Sequence, residues 1–226
     1  MPKIFQWLWI PLLIILLLLM IRESFIILSA IFAPVPPMTA LGNLELYQWT
    51  AAGIVVYLLV KGFFRHNLKW LEVFSHELTH TVVSLMMLRR VHAFHASDQG
   101  GEVSTSGRSF TQTFVTLAPY CLPILTYFFL FFRPLIKADG LWIYDIFVGV
   151  TIAFHAVCFK TQTGNHQPDI QRFPLLFAYL YIITALLFNI NTILVSYWSS
   201  KNIFTALVYS LASIWDGVSA AWAYIF

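Results

Sequence analysis

Apolar segments of about 18–24 residues follow one another along this chain, separated only by short polar breaks. Such segments leave few ways to fold. Lipid offers no water to a backbone N–H or C=O, so each segment must satisfy its own polar groups, as an α-helix does. The 226 residues are 59% hydrophobic and 10% charged, where a soluble domain carries about 25% charge. That balance excludes a soluble domain with an apolar core. The basic residues flank the apolar segments, where they would anchor at lipid head groups, so the net charge of +3 is no nucleic-acid footprint. Cys121 and Cys158 both lie in apolar stretches and read as buried thiols.

The segments run Ile4–Ile21, Tyr47–Phe64, Lys69–Leu88, Phe110–Phe132, Leu141–Phe159, Leu175–Trp198 and Phe204–Phe226. The first is longer than the roughly 7–15 apolar residues of a signal peptide and reads as a retained span. Pro34, Pro36 and Pro37 break the helix that follows it, and Arg65-His66-Asn67 ends the second segment. Pro119 and Pro123 imply a kink inside the fourth. Between the third and fourth, Val91-His92-Ala93-Phe94-His95 and Glu102-Val103-Ser104-Thr105 alternate or carry β-branched residues, with Gly100-Gly101 between them. This stretch predicts a β-hairpin or extended loop. The expected fold is an all-α polytopic bundle of about six to seven transmembrane helices, with that hairpin after the third segment. One integral membrane domain would cover residues 1–226: N-terminal spans over 1–68, a core over 69–198 and a C-terminal span over 199–226.

The third segment carries His76-Glu77-Leu78-Thr79-His80, the H-E-x-x-H pattern. Four residues apart on a helix, His76 and His80 lie one above the other and can both reach one metal ion. Glu77 is about 100° further round, close to that ion without coordinating it, where a general base for a metal-activated water belongs. Ionisable groups at membrane depth are costly, which argues for function rather than surface decoration. A catalytic zinc keeps three protein ligands. Met86 stands where a spaced third histidine would be, and Glu102, the one Glu after His80, lies in the hairpin. Asp169 is the nominee, in the bent polar stretch Thr163-Gly164-Asn165-His166-Gln167-Pro168-Asp169, with a helix N-cap as its other reading. His166 is the next candidate. Glu72, one turn before His76, could support its ring or be a surface charge. His92 and His95 read as exposed loop histidines and His155 as a core histidine. Residues 100–105 could pair with an extended substrate as an added strand or be a plain loop.

The H-E-x-x-H in an apolar helix, the Gly-Gly segment and the downstream Asn-x-x-Pro…Asp loop together resemble the site-2 protease family of intramembrane zinc metalloproteases. The likeness covers residues 69 to about 198 and is closest to a divergent branch of short, multi-pass members. It implies Asp169 as third zinc ligand beside His76 and His80, and Asn165 as the group that holds the substrate carbonyl or oxyanion. The chain departs from the family in Pro168-Asp169-Ile170, which lacks the usual spacer after Pro and the Gly after Asp. The resemblance implies one Zn2+ per chain, a membrane-spanning protein or peptide substrate, and a multi-pass location in a prokaryotic inner membrane. Two other functions fit the same residues: a zinc- or substrate-binding membrane scaffold without turnover, and a proton or metal transporter using His76, Glu77 and Asp169.

Overall fold

The computed structural model describes residues 3–32, 37–64, 68–198 and 202–225; Pro34, Pro36 and Arg65-His66-Asn67 lie outside them. The described elements are α1 (Lys3–Leu8), α2 (Ile10–Phe32), α3 (Pro37–Phe63), α4 (Lys69–Met86), β1 (Arg90–Ser97), β2 (Gly100–Ser106), α5 (Gln112–Leu117), α6 (Ile124–Phe132), α7 (Leu141–Gln162), α8 (Pro168–Gln171), α9 (Leu175–Trp198) and α10 (Ile203–Ile225). Among the described residues, four helical stretches are long and apolar enough to cross a membrane: Gln6–Ile31, Ala138–Gln162, Leu175–Tyr197 and Ile203–Ala220. A fifth arises if Ser109–Tyr120 and Ile124–Leu135, bent by 83° at their junction, act as one broken span. Pro119 and Pro123 account for that break, because neither supplies the N–H a continuous helix needs. Among the described residues, α3 and α4 are not in this set. Lys69, Glu72 and Glu77, with two histidines, make α4 too polar for lipid on all sides.

Two helix groups frame the molecule. In one, α3 packs along α7; in the other, α2, α9 and α10 pack together. Gly53 and Gly149 set the α3–α7 crossing. A Cβ on Gly149 would lie 2.0 Å from the Thr50 carbonyl oxygen, and one on Gly53 2.0 Å from that of Ile146. Backbones meet here because neither residue has a side chain, as in membrane helix pairs that associate through small residues. Polar bonds join the second group: Ser24 Oγ donates to Asn191 Oδ1 (2.9 Å), Asn191 Nδ2 to the Met20 carbonyl (3.1 Å), and Ser213 Oγ to the Glu23 carboxylate.

Against the broken helix, at α5, α6 and the Ala118–Tyr120 turn, sits α4, with the two-stranded antiparallel sheet β1–β2 folded over it. The strands pair from Arg90 with Ser106 to Ser97 with Gly100, with an irregularity at His92. The turn is Asp98-Gln99, so Gly100 and Gly101 begin the second strand rather than forming the turn. A third packed layer holds Leu117, Tyr120, Ile170, Phe173, Phe177 and Ile182. It seats α8 against the broken helix and α9, fixing the loop that carries Asp169.

Candidate metal centre

His76 and His80 stand one turn apart on α4, with ring centroids 4.9 Å apart. Asp169 lies in the first turn of α8, whose N-cap position is held by Gln167, so Asp169 is not the cap residue of that helix. Ile170, beside it, is fully buried, and this anchor turns the Asp169 carboxylate toward α4. The Asp169 Oδ2 atom is 3.2 Å from His80 Nε2 and 3.7 Å from His76 Nε2. All three ligand atoms lie within 4.8 Å of one another. Bonds of about 2.0–2.1 Å in tetrahedral geometry put ligand atoms about 3.3–3.4 Å apart, so the two Asp–His edges already match zinc.

The other ring nitrogens show why the cluster suits a cation. His80 Nδ1 is 2.8 Å from the Val115 carbonyl oxygen, and His76 Nδ1 is 3.1 Å from Gln162 Oε1. Both partners are acceptors, because Gln162 donates its Nε2 to the Glu72 carbonyl (3.4 Å). Each Nδ1 therefore carries the ring proton, and each Nε2 turns a lone pair toward the carboxylate. In the neutral rings the two Nε2 lone pairs and the Asp169 anion then converge as a donor set that a divalent cation satisfies.

Glu77, 7% exposed, reaches the same space from the adjacent position on α4. Gly101 lies directly over it: a Cβ there would be 2.7 Å from Glu77 Oε1 and 2.5 Å from Cγ. The cavity in front of these groups holds about 660 Å³ and is walled on one side by β2 from Gly100 to Thr105. Gln112, Thr116 and Arg172 also line it. Arg172 Nη1 lies 3.9 Å from Asp169 Oδ1, on the carboxylate oxygen that faces away from the imidazoles.

The structure thus brings His76, His80, Asp169 and Glu77 together. It does not bring Asn165 to them. That side chain is exposed, its Oδ1 accepts a 2.6 Å bond from the Tyr179 hydroxyl, and it does not line the cavity. His166 is exposed, with its ring folded back over Gly164. Glu72 pairs with Lys61 rather than with His76, and Gln162 takes the place beside that ring. Glu102 lines the cavity from β2 outside the metal cluster. His92, exposed on β1, bonds Ser106 Oγ at 2.7 Å; His155 lies in α7. Sequence reasoning missed Gln162 and the Val115 carbonyl. A polar residue just past the apolar stretch ending at Phe159 was a signal for the first; a backbone acceptor leaves none for the second.

The family model described as Peptidase M50B-like matches residues 48–216, about three quarters of the chain. No curated protein and no solved structure matches it.

Proposed function

This chain belongs to the Peptidase M50B-like family, within the site-2 proteases, and from that premise we propose that it is a zinc-dependent intramembrane endopeptidase. The observation that carries the proposal is the convergence of His76 Nε2, His80 Nε2 and the Asp169 carboxylate beside the buried Glu77 side chain. Zinc held by His76, His80 and Asp169 would act as a Lewis acid that polarises the scissile carbonyl and acidifies the attacking water. Glu77 takes the proton of that water on its carboxylate and delivers it to the leaving amine nitrogen as the C–N bond breaks. Buried at the cavity floor, Glu77 meets that water away from bulk solvent.

A protein substrate tethered in the membrane fits a chain with four to five apolar spans and a polar cavity. Such a substrate must unwind before cleavage, and the edge of β2 that no strand pairs among the described residues supports its binding as an added strand. Asn165 acts in this proposal as an anchor of the 163–167 loop through Tyr179, not as a contact to substrate. A bundle of six to seven spans would need α3 and α4 to cross as well, with α4 shielded by its neighbours. The protein remains a single membrane domain in that arrangement.

The test is cleavage of single-span substrates in detergent or liposomes by wild type and Glu77→Ala. We expect cleavage by wild type and loss of cleavage in the variant with zinc retained. Equal cleavage by both would remove Glu77 from the chemistry. Zinc binding without cleavage of any substrate would instead favour a scaffold.

A further inference from the structure

Arg89 is 6% exposed, and among the described residues no carboxylate pairs with it. Burying a cation against neutral partners is costly, so its position needs a reason. Its planar fork joins separate parts of the chain. Nη1 donates to the Arg108 carbonyl and to Thr111 Oγ1, both at 2.9 Å. Nη2 donates to Gln112 Oε1 at 2.8 Å and, at 3.4 Å, to Thr105 Oγ1. The stem runs against the chain as it leaves β2, since a Cβ on Gly107 would lie 2.6 Å from Arg89 Cγ. Leu88, just before it, has φ +55°, a left-handed conformation that is unfavourable for leucine. That turn closes α4 with a bond from the Arg89 N–H to the Ser84 carbonyl (2.9 Å) and sets the direction in which Arg89 leaves the helix.

Thr105 stands near the end of β2 and Gln112 opens α5, and both line the cavity. Arg89 is not part of the lining, so it grips these two residues from behind the wall. The same α5 carries Val115, whose carbonyl holds the His80 ring. Fixing Thr105 to Gln112 therefore fixes the strand relative to the metal centre.

We propose that Arg89 is a positioning residue for substrate: its guanidinium clamps the Thr105 end of β2 to α5 and holds the strand edge at the cavity rim, where an extended peptide segment adds. The inference rests on the strand-addition reading above. A strand edge already in place loses less freedom on binding than a loose one. Lysine is no substitute, because a compact ammonium on a flexible stem lacks the rigid fork that reaches Thr105, Thr111 and Gln112 together.

The experiment measures Kd for a fluorescently labelled single-span peptide in detergent, on the full chain carrying Glu77→Ala so that nothing is cleaved. KM, kcat and zinc content are measured in parallel on the chain with Glu77 intact. Arg89→Lys is compared with Thr111→Val, which keeps the shape and charge of the site and removes one anchor of the clamp, and with the pair. We expect Arg89→Lys to raise Kd and KM about 10-fold, with kcat and zinc content held. Thr111→Val should act in the same direction by less, and the pair should fall short of the two effects combined. Unchanged Kd in both single variants overturns the inference and leaves the protease reading standing. Loss of kcat or zinc with Kd unchanged also overturns it, because Arg89 would then serve the metal centre. Weakened peptide binding in a chain whose wild type cleaves nothing would sink the protease reading and leave the clamp. No binding of the peptide by the parent chain overturns the clamp together with the strand addition it rests on.

Discussion

Gly101→Ala adds one methyl group where the hairpin crosses the general base. The new Cβ would stand 2.5 Å from Glu77 Cγ, 2.7 Å from Oε1 and 2.9 Å from Cδ. Ordinary carbon–carbon contact begins at about 3.5 Å, so either the carboxylate or β2 must move by roughly 1 Å. Glu77 is the softer of the two, since β2 is held to β1 by the ladder from Arg90–Ser106 to Ser97–Gly100. A misplacement of about 1 Å in a catalytic group costs on the order of 100-fold in rate. At about 1.36 kcal/mol per tenfold, that is about 2.7 kcal/mol of barrier. The three atoms nearest the methyl all belong to Glu77 rather than to a ligand residue, so metal content should stay at the wild-type level. Initial rates on one single-span substrate, with zinc measured on the same preparation, give the answer. Cleavage within twofold of wild type would refute the placement of Gly101 over the base. Loss of zinc in step with activity would show that the hairpin supports the ligands rather than Glu77.

Three further substitutions probe the frame around the site. Gln162→Leu removes the acceptor on His76 Nδ1 and should weaken zinc binding by about 10-fold in a chelator competition. Glu72→Ala should leave affinity unchanged, because that carboxylate serves Lys61. Gly149→Leu forces a side chain into the Thr50 carbonyl and should part α3 from α7. The expected loss is at least the 1–3 kcal/mol or so of an overpacked core, read as a lower denaturation midpoint in detergent.

Different parts of this site were legible to different degrees. His76, Glu77 and His80 could be read at once, because one helix sets their relation and helical spacing is a local property. Asp169 could only be nominated. Its approach to α4 depends on Ile170 and Phe173 docking against Leu117 and Tyr120, contacts between distant parts of the chain. The hairpin was visible in the alternation of residues 91–95 and 102–105. The role of Gly101 was not, because what excludes a side chain there is Glu77 rather than a turn. Apolar counting stopped at Phe159, while the helix continues to Gln162 and so delivers a polar side chain to His76. Asn165 was suggested by resemblance alone, and its bond to Tyr179 is a tertiary contact with no local signature. Hydropathy marked α4 as a span, but a helix that lines a polar cavity need not meet lipid, and its charges keep it outside the set of apolar spans.

The most direct test of the central claim is metal analysis of the purified full chain, wild type beside His76→Ala/His80→Ala and Asp169→Ala. A site built from these three residues predicts about one zinc per chain in wild type, loss in the double histidine variant and marked weakening in Asp169→Ala. No zinc in wild type after reconstitution, or equal zinc in all three proteins, would contradict it.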